Sequence, residues 1–308
     1  MIKVGITGAS GFIGEHLVAF LRKNESFYLR ALTRRNCAAG LYGNFESIQG
    51  DLTSAKVCEE FCNGLDVVIH LAHSGGPISS IASFSENTIS NLYPTFNLIE
   101  AIKKNNTKCK LIYSSSGGAI YANNSLPHKE NDICMPNSFY GAQKQMIENY
   151  LRIASFHDWL SVIILRISNP YGTLLPSDRM QGIIGIAAQC ALNDKDLPIY
   201  GNMENVRDYI HLDDVCKAIE SAILYKSKFD IFNIGSGIGT SLREVIKLIE
   251  EQTNKKINLK IESLNNTDNQ LVPWVVIDPS KAIAKLKWSP SISLRDGIRK
   301  LCVKHTKA

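Results

Sequence analysis

The fold is decided by residues 2–14, which read IKVGITGASGFIG. A short apolar strand leads into three glycines, and a segment with apolar residues on one face follows them. Glycines allow a tight turn, and they let a pyrophosphate approach the main chain at a helix N-terminus, where free N–H groups favour an anion. The strand before and the helix after favour dinucleotide binding over an ordinary turn. The predicted cofactor-binding residues here are Gly8, Ser10, Gly11, Phe12, Ile13 and Gly14.

Outward from this stretch, short apolar runs alternate with longer amphipathic ones, which is typical of strand-helix-strand units in a parallel sheet. The strands are nearly continuously apolar, so we expect helices on both faces. The predicted fold class is α/β, a doubly wound parallel sheet of the Rossmann type. The predicted strands are 2–7, 28–33, 66–71, 110–114 and 161–166, and the predicted helices lie near 12–23, 54–62, 85–105 and 138–156.

The alternation changes after residue 168, where prolines and glycines interrupt it before a further helix predicted over 181–193. Strand and helix patterns return within 206–235, so we expect elements from that stretch to complete the sheet. We therefore predict a Rossmann domain over residues 1–168. A smaller, partly interleaved substrate-binding region is predicted over residues 169–308.

The composition excludes several classes of protein. Lys plus Arg number 34 against 29 Asp plus Glu, a formal charge of +5, and the like-charged runs are only pairs, so we expect no nucleic-acid partner. No apolar run approaches the roughly 18 residues that span a bilayer and no leader is visible, so we expect no membrane partner and a cytoplasmic location. The eight cysteines are scattered without a Cys-x-x-Cys, which favours reduced thiols over a metal site.

The end of the second predicted strand bears on the choice of nicotinamide cofactor. An acid about 20 residues beyond the glycines accepts from the ribose 2′-OH, whereas a cation tolerates a 2′-phosphate. The strand ends in Thr33, Arg34 and Arg35, with no acid in that place. We therefore predict that NADP(H) is favoured over NAD(H) and that these three residues bind it. The alternative is that the two arginines form a solvated surface pair.

Tyr140 and Lys144 lie four residues apart at the start of a predicted helix, so both project from one face. A phenol with an unperturbed pKa of about 10 is a poor base at neutral pH, but a nearby ammonium favours the phenolate. The pair can then exchange a proton with a sugar or alcohol hydroxyl while a hydride moves to or from nicotinamide. The spacing is common by chance in helices, but it gains weight downstream of a dinucleotide motif.

At this point the chain resembles the extended short-chain dehydrogenase/reductase family, in its NAD(P)-dependent nucleotide-sugar epimerase and reductase branch, similar to UDP-glucose 4-epimerase. The resemblance covers nearly the whole chain and is more specific for the family than for the reaction. Beyond the glycines and the Tyr and Lys pair, it rests on 50–52, on His70-Leu71-Ala72-His73 beside the family's His-Leu-Ala-Ala, on Asn91, and on 97–101, 114–116, 166–172, 206–215 and 232–235.

The resemblance implies roles position by position. Tyr140 is expected to be the catalytic base, and Lys144 to bind the nicotinamide ribose and lower the Tyr140 pKa. Asn169 and Arg207 are expected to bind the nucleotide diphosphate, for which a guanidinium is a natural partner; an ion pair between Arg207 and Asp208 is the alternative. The resemblance also implies a homodimer through helices 85–105 and 138–156. Further expected cofactor contacts are Asp51 beside the adenine, Leu52, Leu71 and Ala72.

Two departures from the family pattern stand out. The position of the family's catalytic Ser or Thr is Gly117, so Ser116, and next Ser115, are the predicted hydroxyls at the reacting oxygen; otherwise they simply end a strand. Gly118 and Ala119 stand where nucleotide-sugar 4,6-dehydratases carry Asp and Glu, which argues against water elimination. Near the C-terminus, Asp268 stands where the family has a diphosphate-binding arginine. One explanation is that Arg243, Lys260 or another cation binds the diphosphate instead. The others are that the substrate is not the usual nucleotide sugar, or that Asp268 points outward.

The predicted function is a nucleotide-sugar 4-epimerase that oxidises C4 transiently to a 4-keto intermediate. In the alternative, an NADPH-dependent reductase acts once on a nucleotide-4-keto-sugar. A third hypothesis is a catalytically silent NADP-binding sensor, against which the presence of Tyr140, Lys144 and Arg207 argues.

Overall fold

A computed structural model describes residues 1–34, 44–76, 84–105, 108–121, 127–176, 182–262 and 272–306. Arg35 and Asp268, which the sequence singled out, lie outside these ranges. In chain order the strands are β1 (Ile2–Thr7), β2 (Phe27–Thr33), β3 (Phe45–Gln49), β4 (Val67–His70), β5 (Lys110–Ser116), β6 (Ser161–Ile167), β7 (Asn169–Tyr171), β8 (Leu197–Tyr200), β9 (Val206–His211), β10 (Phe229–Ile234), β11 (Gly239–Ser241), β12 (Leu259–Glu262) and β13 (Trp274–Val275).

The helices in these ranges follow the amphipathic stretches of the sequence. They are α1 (Phe12–Leu21), α2 (Ala55–Cys62), α3 (Phe84–Asn105), α4 (Phe139–Phe156), α5 (Ile183–Leu192), α6 (Leu212–Leu224), α7 (Leu242–Thr253), α8 (Ser280–Leu286) and α9 (Leu294–Thr306).

The main sheet has seven parallel strands in the order β3-β2-β1-β4-β5-β6-β10. The order reverses between β1 and β4, so the connections after these two strands run to opposite sides and leave a crevice at their carboxyl ends. In open α/β sheets this is where ligands bind. The predicted doubly wound parallel sheet is therefore confirmed.

Helices cover both faces of this sheet, as the continuously apolar strands predicted. On one face Leu17 and Leu21 of α1 and Ile219 of α6 pack on Val4 and Ile6 of β1. The other face is covered by α2, α3 and α4. Each fully buried aliphatic side chain stabilises the fold by about 1.5–3 kcal/mol relative to its exposed state. The residues of this second layer include Phe61, Leu98, Ile102, Ile147 and Leu151, packed on Val68, Leu111 and Ile164.

A third apolar cluster lies outside the main sheet, in the C-terminal half of the chain. It joins Ile184 of α5, Val245 and Ile249 of α7, and Ile298 and Leu301 of α9. The short parallel pair β8 and β12 lies beside it, because Leu197 and Ile199 contribute to the same cluster. This cluster is the core of the C-terminal region, which lies across the crevice from the main sheet and includes β9.

Strand pairing differs from the sequence-based expectation at two places. Strand β3 was not predicted, because it is a short edge strand in which only Phe45 and Ile48 are apolar. Within 206–235, β10 joins the main sheet beside β6, but β9 does not. It pairs instead with β7, β11 and β13. The physical reason lies in Arg207 and Asp208, whose charged side chains point to opposite faces of β9, unlike the apolar strands of a sheet covered on both sides.

Candidate active site

The glycine turn between β1 and α1 leaves no room for a side chain at Gly8 or at Gly14. Gly8 has a φ of +69°, and a Cβ there would lie 2.7 Å from the backbone N of Ala72. A Cβ on Gly14 would lie 2.1 Å from the carbonyl O of Gly8. Gly11, the residue before α1, has no side chain to cap this helix, and a helix N-terminus favours an anion. The turn therefore fits the diphosphate of a dinucleotide.

A cavity of about 580 Å³ opens at the carboxyl ends of β1 and β4 and continues toward β8 and β9. Many predicted site residues line it: Gly8, Gly11, Phe12, Ile13, Gly14, Leu71, Ser116, Tyr140, Asn169 and Arg207. Other predicted residues do not line it: Ser10, Thr33, Arg34, Asp51, Leu52, Ala72, Ser115 and Lys144. Several lining residues had no predicted role, among them His73, Gly118, Tyr200, Asn205, Tyr209 and Leu242.

Tyr140 is positioned by the first turn of α4. Ser138 caps this helix by accepting a hydrogen bond from the backbone N of Gly141. A Cβ on Gly141 would lie 2.1 Å from the carbonyl O of Ala119, so the glycine lets α4 pack directly on the loop after β5. That contact holds Tyr140 on the cavity wall beside Ser116, close enough for the Ser116 hydroxyl to affect the Tyr140 pKa.

The pKa of Tyr140 differs from the expectation. Burial raises it above its ordinary value of 10.0, and the neighbouring Ser116 hydroxyl lowers it only in part. The expected lowering of the Tyr140 pKa is thus not found, because removing a phenolate from water outweighs the stabilisation that its neighbours supply. The phenol is therefore held in its protonated form.

Lys144 lies one helical turn beyond Tyr140 and is buried under the site. Its Nζ donates a hydrogen bond to the carbonyl O of Ser114 at 2.9 Å and lies 5.0 Å from the centroid of the Tyr113 ring. Burial lowers the pKa of Lys144 to about 7, although Glu148 opposes this effect. Its charge therefore changes in the neutral pH range.

The two predicted serines occupy different environments. Adjacent residues of a strand point to opposite faces, so Ser116 lines the cavity while Ser115 points into the protein. Ser115 is 4% exposed, and its Oγ has no hydrogen-bond partner in the described ranges. Only Ser116 is brought to Tyr140, so the expectation for Ser115 is wrong in placement.

Arg207 and Asn169 lie together on the wall formed by β7 and β9. The Asn169 amide donates to the carbonyl O of Asp208 at 2.8 Å, and a guanidinium N–H of Arg207 donates to the carbonyl O of Val206 at 2.8 Å. The Asp208 carboxylate points the other way and accepts from the backbone N and the hydroxyl of Ser236. The alternative ion pair with Asp208 is therefore wrong, and Arg207 has no carboxylate partner among the described residues.

The residues predicted at the adenine end lie beyond the second strand. Arg34 is exposed at the end of β2, close enough to Asp51 to lower its pKa. The larger effect on Asp51 is the hydrogen bond that its carboxylate accepts from the backbone N of Thr53 at 2.8 Å. Thr33 and Leu52 are buried.

Asp268, the departure from the family pattern near the C-terminus, lies outside the described residues. Of the cations predicted to substitute there, Arg243 pairs with Glu204 at 2.6 Å and does not line the cavity. In the parts of the chain that the structure describes, no three His, Cys, Asp or Glu side chains are grouped to hold a metal ion. Within the same ranges, no helix is both long and apolar enough to span a bilayer.

Comparison with known proteins gives consistent matches along the chain. The sequence model of the NAD dependent epimerase/dehydratase family matches residues 4–235. The chain is 32% identical over 304 residues to the dTDP-4-dehydro-6-deoxyglucose reductase of Escherichia coli, covering 96% of this chain and 95% of that protein. It is 29% identical over 300 residues to a putative UDP-glucose 4-epimerase of Methanocaldococcus jannaschii, covering 96% of each.

Solved structures match over the same extent. The UDP-glucose 4-epimerase of Thermotoga maritima, determined with UDP-glucose, superposes with a TM-score of 0.90 at 28% identity and covers 99% of both chains. The UDP-glucose 4-epimerase of Thermus thermophilus, determined with NAD, gives a TM-score of 0.87 at 27% identity, covering 100% of this chain and 99% of the other.

Proposed function

Because the chain belongs to the NAD dependent epimerase/dehydratase family of extended short-chain dehydrogenase/reductase enzymes, we propose that it is a nucleotide-sugar 4-epimerase. The family and its relatives are NAD-dependent epimerases or reductases, so the chain is an enzyme and the silent sensor is set aside. The observation that carries the proposal is that Ser116 and Tyr140 line one cavity together with the glycine turn and Arg207.

The chain's own residues supply proton transfer and positioning. Tyr140 exchanges a proton with the oxygen on C4 of the sugar, and Ser116 hydrogen-bonds the same oxygen. A bound nicotinamide cofactor supplies the hydride acceptor and donor. Lys144 lies beneath the pair and changes its charge near neutral pH, so it adjusts the field at Tyr140 during the proton transfer.

Arg207 and Asn169 are proposed to hold the nucleotide diphosphate of the sugar. Arg207 is buried away from any described carboxylate, so its positive charge is uncompensated although Nη1 donates to Val206. A phosphate would compensate that charge and accept from two N–H groups at once. In this arrangement residues 1–168 bind the cofactor, with β10 completing the sheet, and residues 169–308 contribute the substrate side.

The experiment that tests the reaction uses purified protein without added cofactor. Absorbance near the reduced-nicotinamide band shows whether cofactor is retained, and the protein is then incubated with UDP-glucose and UDP-N-acetylglucosamine. Conversion to the C4 epimer without net consumption of cofactor supports the proposal. Absence of an epimer, together with stoichiometric oxidation of NADPH by dTDP-4-keto-6-deoxyglucose, contradicts it.

That second outcome defines the other candidate, an NADPH-dependent nucleotide-4-keto-sugar reductase. Two observations favour it. The raised pKa keeps Tyr140 protonated, which is the form that donates a proton to a carbonyl oxygen. In addition, the curated relative from Escherichia coli, 32% identical, is a reductase of a 4-dehydro sugar nucleotide.

For the cofactor we propose a preference for NADP(H) that depends on Arg34. An exposed guanidinium at the end of β2 is suited to a 2′-phosphate, but the neighbouring Asp51 carboxylate disfavours a second negative charge. We expect Arg34→Gln to weaken NADPH binding about 10-fold, because one charge-assisted hydrogen bond contributes about that much to affinity. The affinity for NADH should stay within about 2-fold of that of the unsubstituted protein. Equal effects on both cofactors would contradict the preference.

We also propose that the chain forms a homodimer through α3 and α4. These helices pack on each other, as shown by the 4.7 Å between the ring centroids of Phe96 and Tyr150. Both helices carry several exposed apolar side chains, and such side chains are enriched at protein interfaces. The set comprises Phe84, Ile89, Tyr93, Phe139, Met146, Tyr150, Ile153 and Phe156.

A further inference from the structure

His73 lies on the cavity wall in contact with Tyr140. It follows β4 at the position where the family pattern has the second alanine of His-Leu-Ala-Ala. Its ring centroid lies 5.0 Å from that of Tyr140, and the two rings meet edge-on with 85° between their planes. An alanine there could neither make this contact nor offer a polar atom.

The imidazole of His73 carries a polar atom without a partner. Its Nε2 is buried and makes no hydrogen bond to any described residue. Burial, and then the charge of Lys144, holds the pKa of His73 well below its ordinary value, so the ring is neutral and offers one donor and one acceptor. A buried polar atom without a hydrogen bond destabilises the protein and points to a partner or a function that the chain alone does not supply.

The place of His73 in the cavity narrows the chemistry of that partner. On one side is the glycine turn, because the backbone N of Ala72 adjoins the Cβ position of Gly8. On the other side is Tyr140, which meets the reacting sugar hydroxyl in the proposed function. In a nicotinamide dinucleotide, the group between the diphosphate and the reacting ring is the nicotinamide ribose.

We propose that His73 binds a hydroxyl of the nicotinamide ribose through Nε2. The proposal rests on the dinucleotide binding of the proposed function. The nicotinamide ribose would then be contacted from two elements, by His73 just after β4 and by Lys144 on α4. Through its ring contact, His73 also fixes the Tyr140 phenol relative to the bound ribose.

The test compares ligands that possess or lack this ribose. ADP-ribose carries it, whereas ADP ends at the diphosphate. His73→Phe keeps an aromatic edge beside Tyr140 and removes both nitrogens, and His73→Gln places an amide nitrogen near the position of Nε2. His128→Phe is the matched control, because His128 is also buried, its Nε2 makes no hydrogen bond to any described residue, and it stacks on a tyrosine, Tyr121, but it does not line the cavity.

We expect His73→Phe to weaken ADP-ribose and NADH about 5- to 30-fold, the value of one buried hydrogen bond, and to change ADP less than about 2-fold. His73→Gln should recover most of the loss, and His128→Phe should show none. The midpoint of thermal unfolding of ligand-free His73→Phe should equal or exceed that of the parent, because an unsatisfied nitrogen is removed.

Two results would overturn the inference. Equal weakening of ADP and ADP-ribose would show a structural role in the fold, and unchanged affinity for both ligands with a raised KM for nucleotide sugar would assign Nε2 to the sugar. Failure of the unsubstituted protein to bind NADH is a distinct outcome that defeats the proposed function. The binding assays need no turnover, so the two failures are distinguishable.

Discussion

The Nζ atom of Lys144 lies 5.7 Å from the centroid of the Tyr140 ring, one helical turn away on the same helix. Their separation of four residues in the sequence is what places both on one face. Burial disfavours the charged form of each side chain. It raises the pKa of Tyr140 and lowers that of Lys144 to about 7. Near pH 7 the Tyr140 phenol therefore keeps its proton, whereas Lys144 is divided between its charged and neutral forms.

Tyr140→Phe should abolish turnover while leaving cofactor binding intact. Removing the hydroxyl removes the proton donor and acceptor, a loss of about 100- to 10,000-fold for a positioned acid or base. Turnover is measured with the nucleotide sugar that the unsubstituted protein accepts, and NADH affinity by fluorescence titration. Tyr225→Phe is the control, because it also deletes a hydroxyl hydrogen bond, to Asp230, but away from the cavity. Retained turnover in Tyr140→Phe would contradict the mechanism.

Lys144→Met should stabilise the ligand-free protein at low pH and less so at high pH. The pKa of Lys144 is about 7 in the folded chain against 10.5 for an ordinary lysine, so between these values the unfolded chain binds a proton that the folded chain does not. The parent therefore gains stability as pH rises through this window, and Lys144→Met lacks that gain.

The measurement is urea unfolding at pH 6 and pH 9.5. We expect Lys144→Met to exceed the parent by on the order of 2–4 kcal/mol at pH 6, because one unit of pKa is worth about 1.4 kcal/mol, and the excess to shrink at pH 9.5. Lys247→Met, at an exposed position of α7, controls for the loss of a lysine. A difference that does not vary with pH would contradict the burial of Lys144 in its neutral form.

Much of this site follows from local sequence signals. The glycine turn and the Tyr140–Lys144 spacing each depend on residues within one or two helical turns, so periodicity and composition reveal them. His73 stood out in the sequence only as a departure from the family's second alanine. Its contact with Tyr140 could not be predicted, because it joins elements that are distant in the sequence. The placement of β9 outside the main sheet was missed for the same reason, since its pairing with β11 and β13 is long-range. Burial of Tyr140, which reverses the expected pKa shift, is likewise a property of the packed structure.

Gly14→Ala should abolish dinucleotide binding. The added Cβ would lie 2.1 Å from the carbonyl O of Gly8, so the turn must open and the N–H groups at the start of α1 lose their geometry. We expect NADH affinity to fall about 100-fold or more, as several charge-assisted hydrogen bonds are lost. Gly64→Ala is the control, because it strains a backbone with φ of +69° in open space and can reduce stability but not binding. NADH affinity preserved in Gly14→Ala would show that the diphosphate lies elsewhere.

Arg207→Gln should weaken UDP about 10- to 100-fold, the range for a hydrogen bond to a charged group, and leave NADH affinity unchanged. The reason is that the Arg207 guanidinium lies on the cavity wall with no described carboxylate to neutralise it. Calorimetric titration with UDP gives the affinity. Arg243→Gln is the control, because Arg243 is exposed and paired with Glu204. Equal losses in the two variants would point to a general charge effect in place of a diphosphate contact.

Ile153→Glu should convert the proposed homodimer into monomers. Ile153 is 47% exposed on the outer face of α4, within the apolar set shared with α3. A carboxylate there would be buried against its copy across a twofold axis, and desolvation with like-charge repulsion should weaken association at least about 10-fold. Ile283→Glu is the control, because Ile283 has a similar exposure of 43% but lies on α8. Light scattering after size exclusion should give twice the chain mass for the parent and for Ile283→Glu, and the chain mass for dilute Ile153→Glu. The proposed dimer would be contradicted if the parent were monomeric. It would also be contradicted if Ile283→Glu, and not Ile153→Glu, disrupted the dimer.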